Sequence, residues 1–180
     1  MQQIPREIAW LVSFLLVEAA VIDGRSLRVP NWLTFHFLIA GLICAYLRGG
    51  NALMLTSLAG AGVGLLTLLP LYAIGGMGAG DVKLMAGLGA WIGPWFTLWA
   101  FVSSALMGSV IAVAMIVYSG HLYRHLGMIH TIGLEVLTLR NPVVLAERAA
   151  LRKPNMLLLP YAIPIAAGTI TYFALAGFLA

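Results

Sequence analysis

Charged residues are scarce in this chain, and their scarcity excludes a soluble globular domain. Only 9% of the 180 residues are charged, 62% are hydrophobic and the mean hydropathy is +0.99, whereas a soluble domain has about 25% charged residues. A chain this apolar belongs in a lipid bilayer, where helices satisfy the backbone hydrogen bonds. The composition therefore predicts an all-α polytopic membrane protein that forms a single membrane-embedded domain over residues 1–180.

Cysteine is nearly absent as well, and this limits the chemistry available to the chain. The single Cys44 excludes an internal disulfide framework or a zinc knuckle, and we interpret it as a small buried hydrophobe. His121 and His125 have the i, i+4 spacing of a metal-binding pair, but no Glu or Cys completes a ligand set. We therefore expect neither a metal nor another cofactor.

What the sequence does contain is a series of apolar stretches that predict six transmembrane helices. They cover residues 7–22, 32–47, 52–74, 82–92, 95–118 and 156–179. The first, second and fourth are shorter than the roughly 20 residues of a typical spanning helix. The fourth stretch, which Gly93-Pro94 ends, is therefore either a partly inserted helix or one that begins within the preceding glycine run.

The distribution of Lys and Arg predicts the orientation of these spans. Eight basic residues fall in alternate loops, on one side of the membrane: Arg25, Arg28, Lys83, Arg124, Arg140, Arg148, Arg152 and Lys153. Arg6 and Arg48 fall on the other side. The positive-inside rule then predicts a bacterial cytoplasmic membrane protein with both termini outside and a long cytoplasmic loop over residues 119–154. The basic residues flank spans rather than cluster, so no nucleic-acid partner is expected.

Two aspartates stand where this topology would bring them together. Asp81 ends a glycine run and begins the fourth span, and Asp23 follows the first span. Ionisable groups at membrane depth cost about 2.5–3.5 kcal/mol, so they commonly have a function. Both aspartates are predicted at the cytoplasmic face, where a pair of carboxylates could share a proton and activate water. A loop or helix-cap role for Asp81 is the alternative.

The residues around both aspartates resemble the signatures of the type IV prepilin peptidases. The pattern Asp-x-(Arg/Lys)-x-x-x-(Ile/Val)-Pro-Asn is matched by Asp23, Arg25, Val29, Pro30 and Asn31, and Gly-x-Gly-Asp-Val-Lys by Gly78, Gly80, Asp81, Val82 and Lys83. A third, weaker match is Pro160-Tyr161-Ala162-Ile163-Pro164. The joint match follows the family's order over nearly the whole chain.

The resemblance implies the architecture of Gly-x-Gly-Asp membrane proteases, with Asp23 and Asp81 as the catalytic residues. It implies that Gly78, Gly80, Lys83, Arg25, Pro30 and Asn31 bind substrate or shape the site, although the cationic residues among them also satisfy the positive-inside bias. The expected substrates are prepilins, each with a basic leader and a hydrophobic helix. The pilus-assembly machinery is a further expected partner.

One departure from the longer members of this family narrows the expectation. Those members carry paired Cys-x-x-Cys motifs that are associated with N-methylation. This sequence has one cysteine and therefore lacks these motifs. The sequence is therefore similar to the short forms that serve Flp-type pili.

Other functions stay open on the sequence alone. A small proton- or ion-coupled transporter would also carry membrane carboxylates and glycine-broken spans, and a non-enzymatic pilus-assembly subunit is a third candidate. Glu18 is a further acid in the first span. It lies five residues before Asp23 and projects in a different direction, so we do not expect it to be a third catalytic carboxylate.

Overall fold

The structure is a computed structural model that describes residues 4–73, 76–118 and 159–179, together with residues 144 and 147. The regular elements in these three ranges are all helical, which confirms the all-α class. They are α1 (Arg6–Ser26), α2 (Asn31–Ala73), α3 (Ala79–Ile92), α4 (Pro94–Tyr118) and α5 (Ala162–Leu175). Apart from residues 144 and 147, the predicted cytoplasmic loop and its histidines lie outside the described residues.

The described helices lie over the predicted spans, and glycines mark the break within α2 and the break between α3 and α4. The 43-residue α2 covers the second and third spans; a straight helix of that length would be about 65 Å long, twice the roughly 30 Å hydrocarbon core. It breaks at Gly49 and Gly50, where φ of Gly50 is +59°. Between α3 and α4, Gly93 has a φ of +79° and Pro94 begins the next helix. By length and composition, α2 and α4 can cross a membrane; six crossings stay a prediction.

The centre of the fold is α3, which is apolar apart from Asp81 and Lys83 and is therefore mostly buried. Ten of its 14 residues are buried. The first arm of α2 runs parallel to it, with Phe37 against Gly87 and stacked on Trp91. After the break at residues 49–50, the second arm of α2 returns antiparallel to α3.

Glycines allow this second arm to approach α3 at backbone distance. A Cβ atom at Gly60 would overlap the carbonyl oxygen of Gly89, and one at Gly64 would overlap that of Met85. Small residues serve this purpose in membrane helix packing, where close backbone contact replaces the hydrophobic drive available in water. The contacts fix the position of α3 along α2.

A second layer is formed by α1, α4 and α5. Gly168 of α5 lies against the backbone of Ser104 in α4, and the Ser104 hydroxyl donates a hydrogen bond to the carbonyl oxygen of Ile165. On its other side, α5 contacts the end of α1, where Gly24 faces Ile163. The beginning of α5 therefore lies between the end of α1 and the middle of α4.

The close contact of α2 and α3 predicts a sharp difference between two glycines of the same helix. Gly60→Ala should lower the free energy of unfolding by about 1–3 kcal/mol, because the added methyl group collides with the backbone of α3. Gly62→Ala is the matched control, since a Cβ atom at Gly62 meets nothing within 4 Å. Thermal unfolding in detergent measures both, and equal stability of the two variants would contradict the packing described.

Candidate active site

Asp23 occupies the last position of the buried stripe of α1. The stripe contains Ala9, Val12, Ser13, Leu16, Ala19 and Asp23, spaced as one helix face requires. The stripe turns Asp23 inward, and its exposed fraction is only 3%. One carboxylate oxygen, Oδ2, accepts a hydrogen bond of 3.0 Å from the backbone N–H of Ala162, at the start of α5.

Asp81 lies in the first turn of α3. Its Oδ2 accepts a hydrogen bond of 3.1 Å from the backbone N–H of Gly78, which is the reciprocal half of a capping box. Its Oδ1 is buried and has no hydrogen-bond partner among the residues that the structure describes. The alternative prediction, a helix cap, therefore accounts for Oδ2 of Asp81. Oδ1 takes no part in the cap.

The structure brings the two aspartates together. Their charges are close enough to interact, and Asp81 also interacts electrostatically with Tyr161. The backbone N–H of Ala162 binds Asp23, and the preceding residue, Tyr161, lies within the electrostatic influence of Asp81. These residues belong to the weakest of the three sequence matches, to which no role was assigned. The contact from Ala162 uses its backbone N–H, which a side-chain pattern does not identify.

The two aspartate-containing motifs also contact each other directly. Lys83 Nζ donates a hydrogen bond of 2.9 Å to Asn31 Oδ1 and lies 5.0 Å from the centroid of the Phe35 ring. A Cβ atom at Gly80 would lie 2.9 Å from the carbonyl oxygen of Val29, so glycine is required for this approach. These contacts join the start of α2 to the first turns of α3.

The remaining predicted site residues differ in their relation to the carboxylates. Pro30 directly precedes α2, and its carbonyl oxygen accepts a hydrogen bond from Thr34 N–H. Gly78 contributes its backbone N–H to Asp81, whereas Arg25 is exposed at the end of α1. Glu18 is half-buried and lies off the stripe that ends in Asp23. The described residues contain no cluster of three metal-ligating side chains.

Comparisons with known proteins give one matching family and a set of curated relatives. Residues 10–113, more than half of the chain, match the model of the type IV leader peptidase family. A prepilin leader peptidase/N-methyltransferase of Aeromonas salmonicida is 35% identical over 121 residues, which cover 63% of this chain and 41% of that protein. The protein of the same name from Pectobacterium carotovorum subsp. carotovorum is 40% identical over 111 residues, covering 57% and 39%.

The matched part of these relatives is only a portion of each. The chain spans about two fifths of the length of the curated relatives it matches, including a prepilin leader peptidase/N-methyltransferase of Neisseria gonorrhoeae that is 35% identical over 118 residues. No solved structure matches the chain significantly. The family match covers Asp23, Asp81, all of α3 and α1 from residue 10 onwards, and on this match the chain belongs to the type IV leader peptidase family.

Proposed function

We propose that this chain is an intramembrane aspartyl endopeptidase that removes the basic leader from type IV prepilins of the Flp class. The observation that carries the proposal is the meeting of two buried carboxylates, Asp23 and Asp81, from distant parts of the sequence. Burying two carboxylates near each other costs free energy that burying two apolar side chains at the same positions would not cost. Membership of the leader peptidase family supports the same reaction.

In the proposed mechanism the two carboxylates hold one proton between them. The ionised carboxylate removes a proton from water as the water oxygen attacks the scissile carbonyl carbon, while the protonated carboxyl group donates a hydrogen bond to the carbonyl oxygen. The tetrahedral intermediate then collapses, the C–N bond breaks, and the leaving amine takes up the proton that the base removed from water. Either Asp23 or Asp81 can be the base.

The hydrogen bonds within the site suit these roles. Each Oδ2 is held by one backbone N–H, from Ala162 for Asp23 and from Gly78 for Asp81. This fixes the orientation of each carboxylate and leaves its other oxygen for water or substrate. The non-helical residues Gly76-Met77-Gly78 precede Asp81, and an extended substrate could approach their backbone closely because glycine has no side chain.

We further propose six transmembrane helices, with the site at the cytoplasmic face and both termini outside. Many large apolar side chains are exposed on the helices, among them Phe14 at 71% and Leu106 at 65%, and a bilayer would cover them. The aspartates lie near helix ends rather than in the middle of helices. This position favours cleavage at a membrane face over ion transport through the midplane.

The first prediction from the proposed function concerns the two aspartates. Asp23→Asn and Asp81→Asn should each lower the rate of prepilin cleavage by about 10²- to 10⁴-fold, because each removes an acid–base group from the reaction. Asparagine can still accept the backbone hydrogen bond, so the fold is preserved. The measurement is the size shift of a Flp-type prepilin incubated with the purified chain in liposomes.

Glu18→Gln supplies the matched control for this experiment. It neutralises another acid of α1, which lies off the buried stripe, and the variant should cleave at close to the wild-type rate. Substantial cleavage by either aspartate variant would contradict the assignment. Failure of the wild-type chain to cut several Flp-type prepilins would instead favour a transporter or a pilus-assembly subunit.

The second prediction tests the orientation of the membrane spans. In a Cys44→Ser background, Asn51→Cys should react with a membrane-impermeant maleimide in intact spheroplasts, because residue 51 follows the break between the arms of α2. Arg28→Cys, at the opposite end of the first arm, should react only after permeabilisation. Labelling of both cysteines in intact spheroplasts, or the reverse pattern, would refute this topology.

The third prediction concerns Lys83 as a residue that positions the site. Lys83→Met and Asn31→Ala should each reduce cleavage about 5- to 30-fold, the effect of losing roughly one or two kcal/mol of a charge-assisted hydrogen bond. The double variant should lose little more than either single variant, because both remove the same bond. Arg28→Met, which removes an exposed cation outside this bond, is the control; a loss equal to that of Lys83→Met would indicate a charge effect alone.

A further inference from the structure

A cavity of about 100 Å³ lies at the end of the fold opposite the two carboxylates. Asp81 lies at the beginning of α3 and Asp23 near the end of α1, whereas the end of α3 and the beginning of α1 line this cavity. Residues on both sides of the break in α2 and the first turn of α4 complete its walls. We call it the distal pocket, and its lining includes Ile8, Gly41, Cys44, Arg48, Trp91 and Phe96.

Arg48 is the one charged residue among the described residues that line the distal pocket. Its side chain forms no hydrogen bond or ion pair with any other residue that the structure describes. Glu7, in the first turn of α1, is exposed and does not line the pocket. A guanidinium stays protonated and presents several N–H donors, so Arg48 offers an anion charge-assisted hydrogen bonds.

The other hydrogen-bond donors of the distal pocket are already engaged. The hydroxyls of Thr56 and Ser57 and the indole N–H of Trp91 all donate to backbone carbonyl oxygens of the protein. Apart from the thiol of Cys44, the remaining described side chains of the lining are apolar. An unpaired cation beside apolar walls fits an amphiphile with an anionic group better than a fully hydrated ion, which would lose its water against those walls.

The depth of the pocket matches the depth of a phospholipid in a bilayer. Arg48 follows Asn31 by 17 residues of the first arm of α2, which is about 25 Å along a helix axis and close to the roughly 30 Å thickness of the hydrocarbon core. With Asn31 at one membrane face, Arg48 therefore lies near the headgroups of the other. Trp95 and Trp99 of α4 are 58% and 47% exposed, and tryptophan favours this interface.

The size of the pocket limits what can enter it. At roughly 30 Å³ per water molecule in the liquid, 100 Å³ corresponds to the space of about three waters. A phosphodiester group fits this space, whereas a peptide segment or a helix does not. The acyl chains of the same molecule would lie outside, against apolar side chains such as Leu47, which is 77% exposed.

We propose that the distal pocket binds the headgroup of one anionic phospholipid, with Arg48 as the cationic partner of its phosphodiester. The bound lipid would contact the beginnings of α1 and α4, the break in α2 and the end of α3, and would therefore stabilise the fold by binding only the folded state. Under the proposed topology this lipid belongs to the outer leaflet. The binding itself depends on neither that topology nor prepilin cleavage, so its test is independent of both.

The test measures lipid binding to the purified chain in detergent. Native mass spectrometry gives the affinity for phosphatidylglycerol and for zwitterionic phosphatidylcholine, and thermal unfolding gives the stabilisation by each lipid and by inorganic phosphate. Arg48→Gln should weaken the binding of phosphatidylglycerol about 10- to 100-fold, the effect of losing a charge-assisted hydrogen bond. Arg6→Gln is the matched control, because Arg6 lies at the same end of the fold but does not line the pocket.

Wild type and Arg6→Gln should both retain one phosphatidylglycerol and unfold at a higher temperature when this lipid is added. Unchanged affinity in Arg48→Gln, or an equal loss in Arg6→Gln, would overturn the site. Equal affinity for phosphatidylcholine would overturn the anionic preference, and equal stabilisation by inorganic phosphate would indicate a free-anion site instead of a lipid site. A dimer that needs Arg48 and retains no lipid would overturn the proposal in favour of a second copy of the chain.

Cys44 provides a reporter that leaves the pocket unmutated. It is the single cysteine of the chain and lines the pocket. Phosphatidylglycerol at ten times its Kd should slow the reaction of Cys44 with N-ethylmaleimide about tenfold, in proportion to the occupied fraction. In a Cys44→Ser background, Ile43→Cys is the control, because residue 43 is exposed outside the pocket and should react at an unchanged rate. Equal slowing at both positions, or no slowing at Cys44, would overturn the assignment.

Discussion

The close backbone contact between α2 and α3 is the constraint on which the rest of the structure depends. Gly60 faces Gly89 and Gly64 faces Met85 without room for a Cβ atom, so α3 is held deep in the fold along its length. A helix buried on all sides cannot shift without breaking several such contacts. The first turn of α3, which carries Asp81, is therefore fixed by contacts up to two turns away from the carboxylate.

The spacing within the aspartate motifs has a structural explanation that is separate from acid–base chemistry. Gly80 permits the backbone of Val29 to approach α3, and Lys83 binds Asn31 at the beginning of α2. Each motif thus contains an aspartate and residues that contact the other motif. The signatures combine a reacting group with the contacts that would align it, so single residues of the motifs need not touch substrate.

The sequence allowed the helices to be predicted, because helices depend on strong local signals. Apolar runs indicate the helices, and Gly49-Gly50 and Gly93-Pro94 interrupt them. The contact from Ala162 to Asp23 was not predictable, because it joins residues 139 positions apart through a backbone N–H. An apolar cavity bordered by Met85 and Tyr161 was not predictable either, since it depends on how four helices pack.

The two oxygens of each carboxylate have different roles, and this connects the stability of the buried carboxylates with their reactivity toward water. A carboxylate buried without hydrogen bonds would be strongly disfavoured, and one with both oxygens bonded to the protein would have none left for water. In this structure one N–H group binds Oδ2 of each aspartate, while Oδ1 of Asp81 has no partner among the described residues. Under the proposed mechanism the hydrogen-bonded oxygen would orient the carboxylate. The other oxygen would exchange a proton with water or bind the substrate carbonyl. The start of α5 would then contribute to this orientation, since the backbone N–H of Ala162 binds Asp23.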